Sequence, residues 1–485
     1  MKNKLQKEDT MKPVINLLKN KTVALLFVLV ASLSSCNDWI DIEPENDLIQ
    51  EEFWKTKDDL MSVVAATYDA NRGATEKSFY MGEVRADFIL AAAGDYVSIG
   101  NNDISTTNGA AKWSEFYKII NLANTVMFYA PKVQELDQTV TNELINKIES
   151  EMIFLRSLSY FYLVRIWKDV PLVLRPTVSD TVDFYIPKST EDVVLKHIVS
   201  DLKKVSDLAS EDASLKGYVT KYAIQALLAD VLLWNENYTE CIKYCDLIIN
   251  SGLFALESNE NWFNLYYPGN SLNEAIFEIQ YEDDLDGQEN PFYYGDNVIN
   301  NSGVYVGKMG FDVESDIRYC KAKGPMWKYI GIDETGVKRR AGYERDANYV
   351  YYRYADILLI KAEALAETGN FTEANRLVSL VAERAGVTHI ATNALGSFRT
   401  ALMAERGREF GAEGKRWFDI LRFAKKDNFK DKQFLIDIML SKAGDAQEIA
   451  VMKTKVTDTM SYYLPIHQDE IQYNKNLVQN PFYDR

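Results

Sequence analysis

Apolar residues recur at helical spacing along most of the chain. In residues 354–367 the set Ala355, Leu358, Leu359, Ala362, Leu365 and Ala366 falls at i, i+3, i+4, i+7, i+10 and i+11. Asp356, Lys361, Glu363 and Glu367 fill much of the remainder. This predicts a helix with one buried stripe and a charged outer face. The same reading predicts helices over 58–71, 113–129, 142–167, 191–208, 219–234, 239–250, 372–384 and 397–424. The chain is expected to be mainly α.

Two helix pairs repeat each other. Ala229, Leu232, Tyr238 and Cys241 are spaced by 3, 6 and 3 positions, and Ala362, Leu365, Phe371 and Ala374 are spaced identically. The spacing is that of a tetratricopeptide helix–turn–helix: small residues let two helices approach, and an aromatic at the turn seats the second. Residues 235–237 and 368–370 supply the turns. Cys241 and Cys245 form a CxxxC, but they occupy core-facing positions of a helix with no other Cys or His close by in sequence, so packing is expected rather than metal.

Two segments break the helical pattern. Residues 82–112 are rich in Gly, Asn, Ser and Thr, and residues 282–343 hold nine of the chain's 24 Gly together with many Tyr, Phe and Trp. Long irregular segments inside a helical body commonly carry function. Aromatics interleaved with amides and carboxylates suit ligands with apolar faces and polar edges, sugars above all. Many of these rings are also explained as packing within the loops. Glu282, Asp284, Asp286 and Gly287 fall at positions 1, 3, 5 and 6 of a calcium-loop pattern, but position 12 is Tyr293, which has no carboxylate, so a solvated acidic turn is expected and no metal is assigned.

The N-terminus reads as a targeting signal. Six Lys lie within residues 1–21, and TVALLFVLVASL at 22–33 is uncharged and too short to span a bilayer. Leu33, Ser34, Ser35 and Cys36 follow in the order of a bacterial lipobox, which makes Cys36 the expected lipidated mature N-terminus. Cleavage there removes six Lys, Glu8 and Asp9 and takes the net charge from −17 to −21. Met11 is an alternative start, since the signal is complete from that point. So acidic a chain is a poor nucleic-acid binder. Three His and four Cys leave little material for a His-based metal site, a His-dependent triad or a disulfide framework.

Six blocks carry a resemblance to a known family. They are LSSCNDWIDIEPEND around Cys36, EMIFLRSLSYFYLVRIWKDVPLV at 151–173, GYVTKYAIQALLADVLLW at 217–234, YRYADILLIKAEALAETGNFTEA at 352–374, ERGREFGAEGKRWFDILRF at 405–423 and YYLPIHQDEIQYNKNLVQNPFY at 462–483. Together, in this order, they resemble the SusD/RagB family of outer-membrane nutrient-binding lipoproteins over residues 36–485. The resemblance implies a tetratricopeptide-like α scaffold with long irregular loops and minor β, holding ligand on its irregular half. It also implies a SusC-like TonB-dependent outer-membrane transporter as partner, lipid anchorage at the cell surface, and no cofactor. The corresponding division is a signal peptide at 1–35, an N-terminal region at 36–215, a tetratricopeptide-like helix pair at 216–260 and a C-terminal region at 261–485. The acidic stretch through Asp47 resembles the tether that sends some such lipoproteins to the outer face.

The charged cluster in 405–422 resembles a catalytic constellation but is spaced for pairs within a helix, such as Glu405–Arg408 and a Glu409–Glu413–Arg416 chain. The expected function is oligosaccharide binding without catalysis. The alternatives are a surface glycoside hydrolase, for which no spacing singles out a carboxylate pair, a peptide-binding repeat scaffold, and a binder of peptide or another non-glycan nutrient. The expected ligand-binding residues are Asp87, Tyr96, Asn101 and Asn102 in the first irregular segment and Tyr293, Tyr294, Tyr305 and Trp327 in the second.

Overall fold

The longest N-terminal helix, Lys57–Glu83, starts where a capping box dictates. The Thr56 hydroxyl accepts from the Asp59 amide at 3.2 Å, and the Asp59 carboxylate accepts from the Thr56 amide at 2.8 Å. In this computed structural model the described residues are 53–91, 94–178, 183–262, 265–266, 273–282, 289–294, 299–301, 316–318, 327–330 and 345–484, the side chains of 293, 294, 299–301, 327 and 330 excepted. Cys36, Tyr305 and the acidic turn at 284–287 lie outside them. Among the described residues no helix is long and apolar enough to cross a membrane.

The protein is mainly α. Lys57–Glu83 packs on Ser114–Leu136, which packs on Asn142–Trp167, which in turn packs on Glu191–Val205. Asn142–Trp167 is the central helix: Thr141 caps it through the Leu144 amide, and from Ser150 to Trp167 every residue is buried.

The repeat pairs follow, Lys221–Trp234 with Tyr238–Asn250 and Tyr354–Glu367 with Phe371–Arg384. Their turns agree in detail. Asn237 and Asn370 have φ/ψ of −88°/70° and −87°/69°, and each caps the second helix through its side chain. Glu236 and Gly369 both take positive φ. The Asn237 and Asn370 amides donate to the Leu232 and Leu365 carbonyls at 2.9 and 2.8 Å. Ala229, Cys241, Ala362 and Ala374 are fully buried, whereas Tyr238 and Phe371 are half-buried over the turns. Cys241 and Cys245 are buried free thiols. The first helix of the second pair rests on the second helix of the first, as stacked repeats require.

Two sequence expectations fail here. Glu363 and Asp356 are buried rather than on a solvent face, and the Glu367 side chain is nearly so. They meet cations from the C-terminal helices: Asp356 holds Arg406 at 2.9 Å and Lys415 at 2.5 Å, Glu363 holds Arg422 at 2.8 Å, and Glu367 holds Arg399 at 2.7 Å. A period reading counts charges as outward-facing and cannot see a second charged layer folding over them.

The second failure is the helix predicted over 397–424, which is two helices, Leu395–Phe410 and Arg416–Phe429. The break at 411–415 holds Ala412 at φ 66° and Gly414 at φ 72°. A Cβ on Gly82 would lie 1.8 Å from the Gly414 carbonyl oxygen, so two backbones touch at this point and only Gly fits.

Strands are few and short. β1 (Ile89–Ala91) pairs antiparallel with β5 (Ile299–Asn301), β2 (Val170–Pro171) with β3 (Lys188–Ser189), and β4 (Ala275–Ile279) with β6 (Tyr349–Arg353). β4 and β6 bracket the second irregular segment, and β1–β5 ties that segment to the first. That pairing sets Ile89–Ala91 of the first glycine-rich region beside Ile299–Asn301 of the second.

Candidate functional site

The first irregular segment is more ordered than its composition suggests. Asn108 donates to the Asp95 carbonyl at 3.0 Å and to Ser98 Oγ at 2.7 Å, while its Oδ1 accepts from the Ala110 amide at 2.9 Å. One amide thus clamps the short helix Asp95–Gly100 to the turn Gly109–Ala111. This places Tyr96 against Tyr80 of the long N-terminal helix, with ring centroids 4.2 Å apart and planes 24° apart.

The stacked pair lies in an open depression of about 450 Å³, which Glu76, Lys77, Asp95, Gly109 and Glu115 also line. Lys77 Nζ bonds Glu115 at 2.7 Å. Burial lowers the Lys77 pKa, with Glu115 pulling the other way. Burial, with Glu76 adding to it, pushes Tyr80 up to about 12 and Tyr96 well above its ordinary value, so both phenols are neutral hydrogen-bond donors at neutral pH. Tyr80 is buried and backs the half-buried Tyr96, whose ring, edged by Glu76, Asp95 and Glu115, offers an apolar platform beside hydrogen-bonding groups.

The other expected site residues are distributed differently. Asp87 is buried and accepts two guanidinium bonds from Arg416, each at 2.8 Å. Asn102 is buried at φ 53° and accepts from Arg85 at 2.7 Å. Both are thus engaged in the scaffold. Asn101 is exposed and ends the helix Asp95–Gly100, outside the lining of the depression. Tyr293, Tyr294 and Trp327 fall in the short helices Pro291–Tyr294 and Trp327–Ile330.

Sequence reasoning missed Tyr80, Glu76, Lys77 and Glu115. Tyr80 and Tyr96 are sixteen positions apart, and Tyr80 lies in a helix that apolar spacing ended at 71. The signal for it is the aromatic pair Phe79-Tyr80 just before the first glycine-rich segment.

The cluster at 405–422 is a buried junction. Glu405 does pair with Arg408 three positions on. Glu409 and Glu413 instead reach Arg353 of β6, at 2.6 and 2.9 Å. Arg353 also holds Glu274 at 2.6 Å, and Arg318 holds Asp316, Glu405 and Glu409 at 2.8, 2.6 and 2.9 Å. Lys328 of the second irregular segment reaches Glu413 at 2.6 Å. Burial opposes ionisation of Glu409, but Arg384, Arg353 and Arg318 hold it well below the usual carboxylate range. Carboxylates already saturated by cations are poorly placed for general acid–base work. Among the described residues no group of His, Cys, Asp and Glu is arranged to hold a metal ion.

Comparison with known proteins agrees with this architecture. The profile of the SusD family matches residues 314–483, and one described as starch-binding associating with outer membrane matches residues 38–233. A SusD-like protein of Formosa agariphila is 27% identical over 84% of this chain and 92% of its own, and one of Bacteroides ovatus is 25% identical over 84% and 82%. A SusD superfamily protein of Bacteroides vulgatus superposes with a TM-score of 0.73 at 19% identity, covering 89% of this chain and all of that one. The surface glycan-binding protein A of Bacteroides uniformis superposes with a TM-score of 0.69 at 20% identity, covering 88% of this chain and all of its own. The mainly helical fold is shared with these structures. The chain belongs to the SusD/RagB family.

Proposed function

We propose that the protein is a lipid-anchored, surface-exposed outer-membrane protein that binds oligosaccharide and passes it to a SusC-like TonB-dependent transporter, without cleaving it. The observation that carries this reading is the stacked Tyr80–Tyr96 pair in an open depression edged by polar groups, on the side where the two irregular segments meet. The lipobox at Cys36 and the names carried by the family and by the Bacteroides uniformis neighbour support it. The ligand is held by stacking on Tyr96, which the buried Tyr80 ring backs, with hydroxyls bonded to Glu76, Asp95 and Glu115. Tyr293, Tyr294, Tyr305 and Trp327 of the second irregular segment are proposed as further ligand contacts.

The test is incubation of the purified protein with a panel of starch, laminarin, xylan and pectic oligosaccharides, read by calorimetry and by product chromatography. Binding with no new products is expected. Cleavage would make it a hydrolase, and no response would favour a peptide or other nutrient. A Cys36→Ala protein loses its acyl chains, each buried CH₂ of which contributes about 0.8 kcal/mol, and should leave the membrane fraction. Retention in washed outer membranes would show another anchor.

A further inference from the structure

A second depression, of about 960 Å³, lies beside the first. Its lining includes Trp113, Tyr117, Phe184, Glu470, Tyr473 and Asn474. The rim is unusual for its exposed rings: Phe184 is 52% exposed, Tyr185 51% and Tyr473 78%. They are held by specific bonds, since Asn474 donates to the Ile186 carbonyl at 2.8 Å and Asn476 to the Tyr185 carbonyl at 2.6 Å. A built rim that leaves aromatic faces in water marks a surface kept open for a ligand.

The two depressions share a wall. Glu115 lines the first and its neighbour Ser114 lines the second. The ridge is fixed on both sides: Lys77 Nζ holds Glu115 at 2.7 Å, and Lys112 Nζ holds Asp469 at 3.0 Å. Each depression presents the same chemistry, with rings for stacking and carboxylates or amides beside them. A lipid surface would be matched by a continuous apolar face. Here Ser114, Glu470 and Asn474 interrupt the rings, as the hydroxyl-studded edge of a sugar chain requires.

We infer that the Phe184–Tyr473 groove is a second oligosaccharide subsite, continuous with the Tyr80–Tyr96 depression across the ridge at 112–115, so that the protein takes an extended glycan chain. The inference rests on the proposed glycan-binding function. Two subsites joined by one ligand act at high effective concentration on each other, so affinity rises with chain length until both are filled.

The test is calorimetry with trisaccharide and octasaccharide forms of the starch, laminarin, xylan and pectic series. Wild-type protein should bind the octasaccharide of one series at least about tenfold more tightly than the trisaccharide. Tyr473→Ala, at a side chain too exposed to support the fold, should cost the octasaccharide at least about fivefold with the melting temperature unchanged. Phe184→Ala should do the same. Octasaccharide affinity unchanged in both variants but lowered in Tyr96→Ala would overturn the second subsite and leave the first intact. Failure of every series to bind wild-type protein would remove the glycan reading, and the extended track with it.

Discussion

The junction around Arg353 and the depression around Tyr96 are both rich in charge, and they differ in whether that charge is spent. In the junction Arg318, Lys328, Arg353 and Arg384 face Glu274, Asp316, Glu405, Glu409 and Glu413, buried and mutually bonded. In the depression Glu76 and Asp95 are exposed beside two stacked rings. Charge density does not mark a binding site, whereas charge left facing open space beside a flat apolar surface does. The junction has a structural role instead. It ties Asp316, Arg318 and Lys328 of the second irregular segment to the helix Leu395–Phe410 and the turn after it.

The sharpest break of this contrast is Arg353→Met. It leaves Glu274, Glu409 and Glu413 short of a buried partner, and removing one member of such a network costs about 3–5 kcal/mol. Soluble, folded protein should fall sharply, and Arg353→Lys should rescue little, because an ammonium cannot reproduce the guanidinium's several bonds. A melting temperature within a degree or two of wild type would show that the network contributes nothing.

Titration separates the buried acids by sign. Burial raises Glu83 to about 8, although the Gly414 and Lys415 amides donate to it. A raised folded pKa means that stability is complete below its ordinary value of 4.5 and is lost as pH rises through about 8. The loss is on the order of a few kcal/mol, and in Glu83→Gln it should be absent. Asp356 is the opposite case. Burial resists its ionisation, but Lys415 and Arg406 hold it near 2, so its contribution is present above 3.8 and disappears as pH falls through about 2. Denaturant midpoints across pH 2–9 read both, and parallel curves for wild type and Glu83→Gln would contradict the first.

A smaller effect tests the apolar repeats. Ala362→Trp or Ala229→Trp overpacks a close helix contact at a typical cost of ~1–3 kcal/mol, while exposed Thr372→Trp should cost little. Equal tolerance at all three positions would deny the stacking of the pairs.

How much of this was legible in the sequence depended on whether a residue's partner lay nearby in the chain. Helices 142–167 and 354–367 were legible to the residue because their apolar periods are complete. The repeat turns were legible because their four key positions recur at fixed spacing. Gln433–Leu440, Ala446–Val456 and Gln468–Tyr473 escaped, being too short for a period to stand out. The break at 411–415 escaped because its cause is a backbone contact with Gly82, more than three hundred positions away. Tyr96 was legible as an aromatic among small residues, but Tyr80, its platform partner, was hidden in a helix. Asp87 and Asn102 stand out by composition alone, and nothing in their spacing pairs them with Arg416 and Arg85.

The most direct test is glycan calorimetry on wild type and Tyr96→Ala, each with a melting curve. Removing one ring of the stacked pair should weaken binding at least about fivefold, a change of roughly 1 kcal/mol, at a temperature where the melting curve shows both proteins folded and with transporter association unchanged. Equal affinity in the two proteins, for a glycan that wild type binds, would contradict the account and move the site away from the Tyr80–Tyr96 depression.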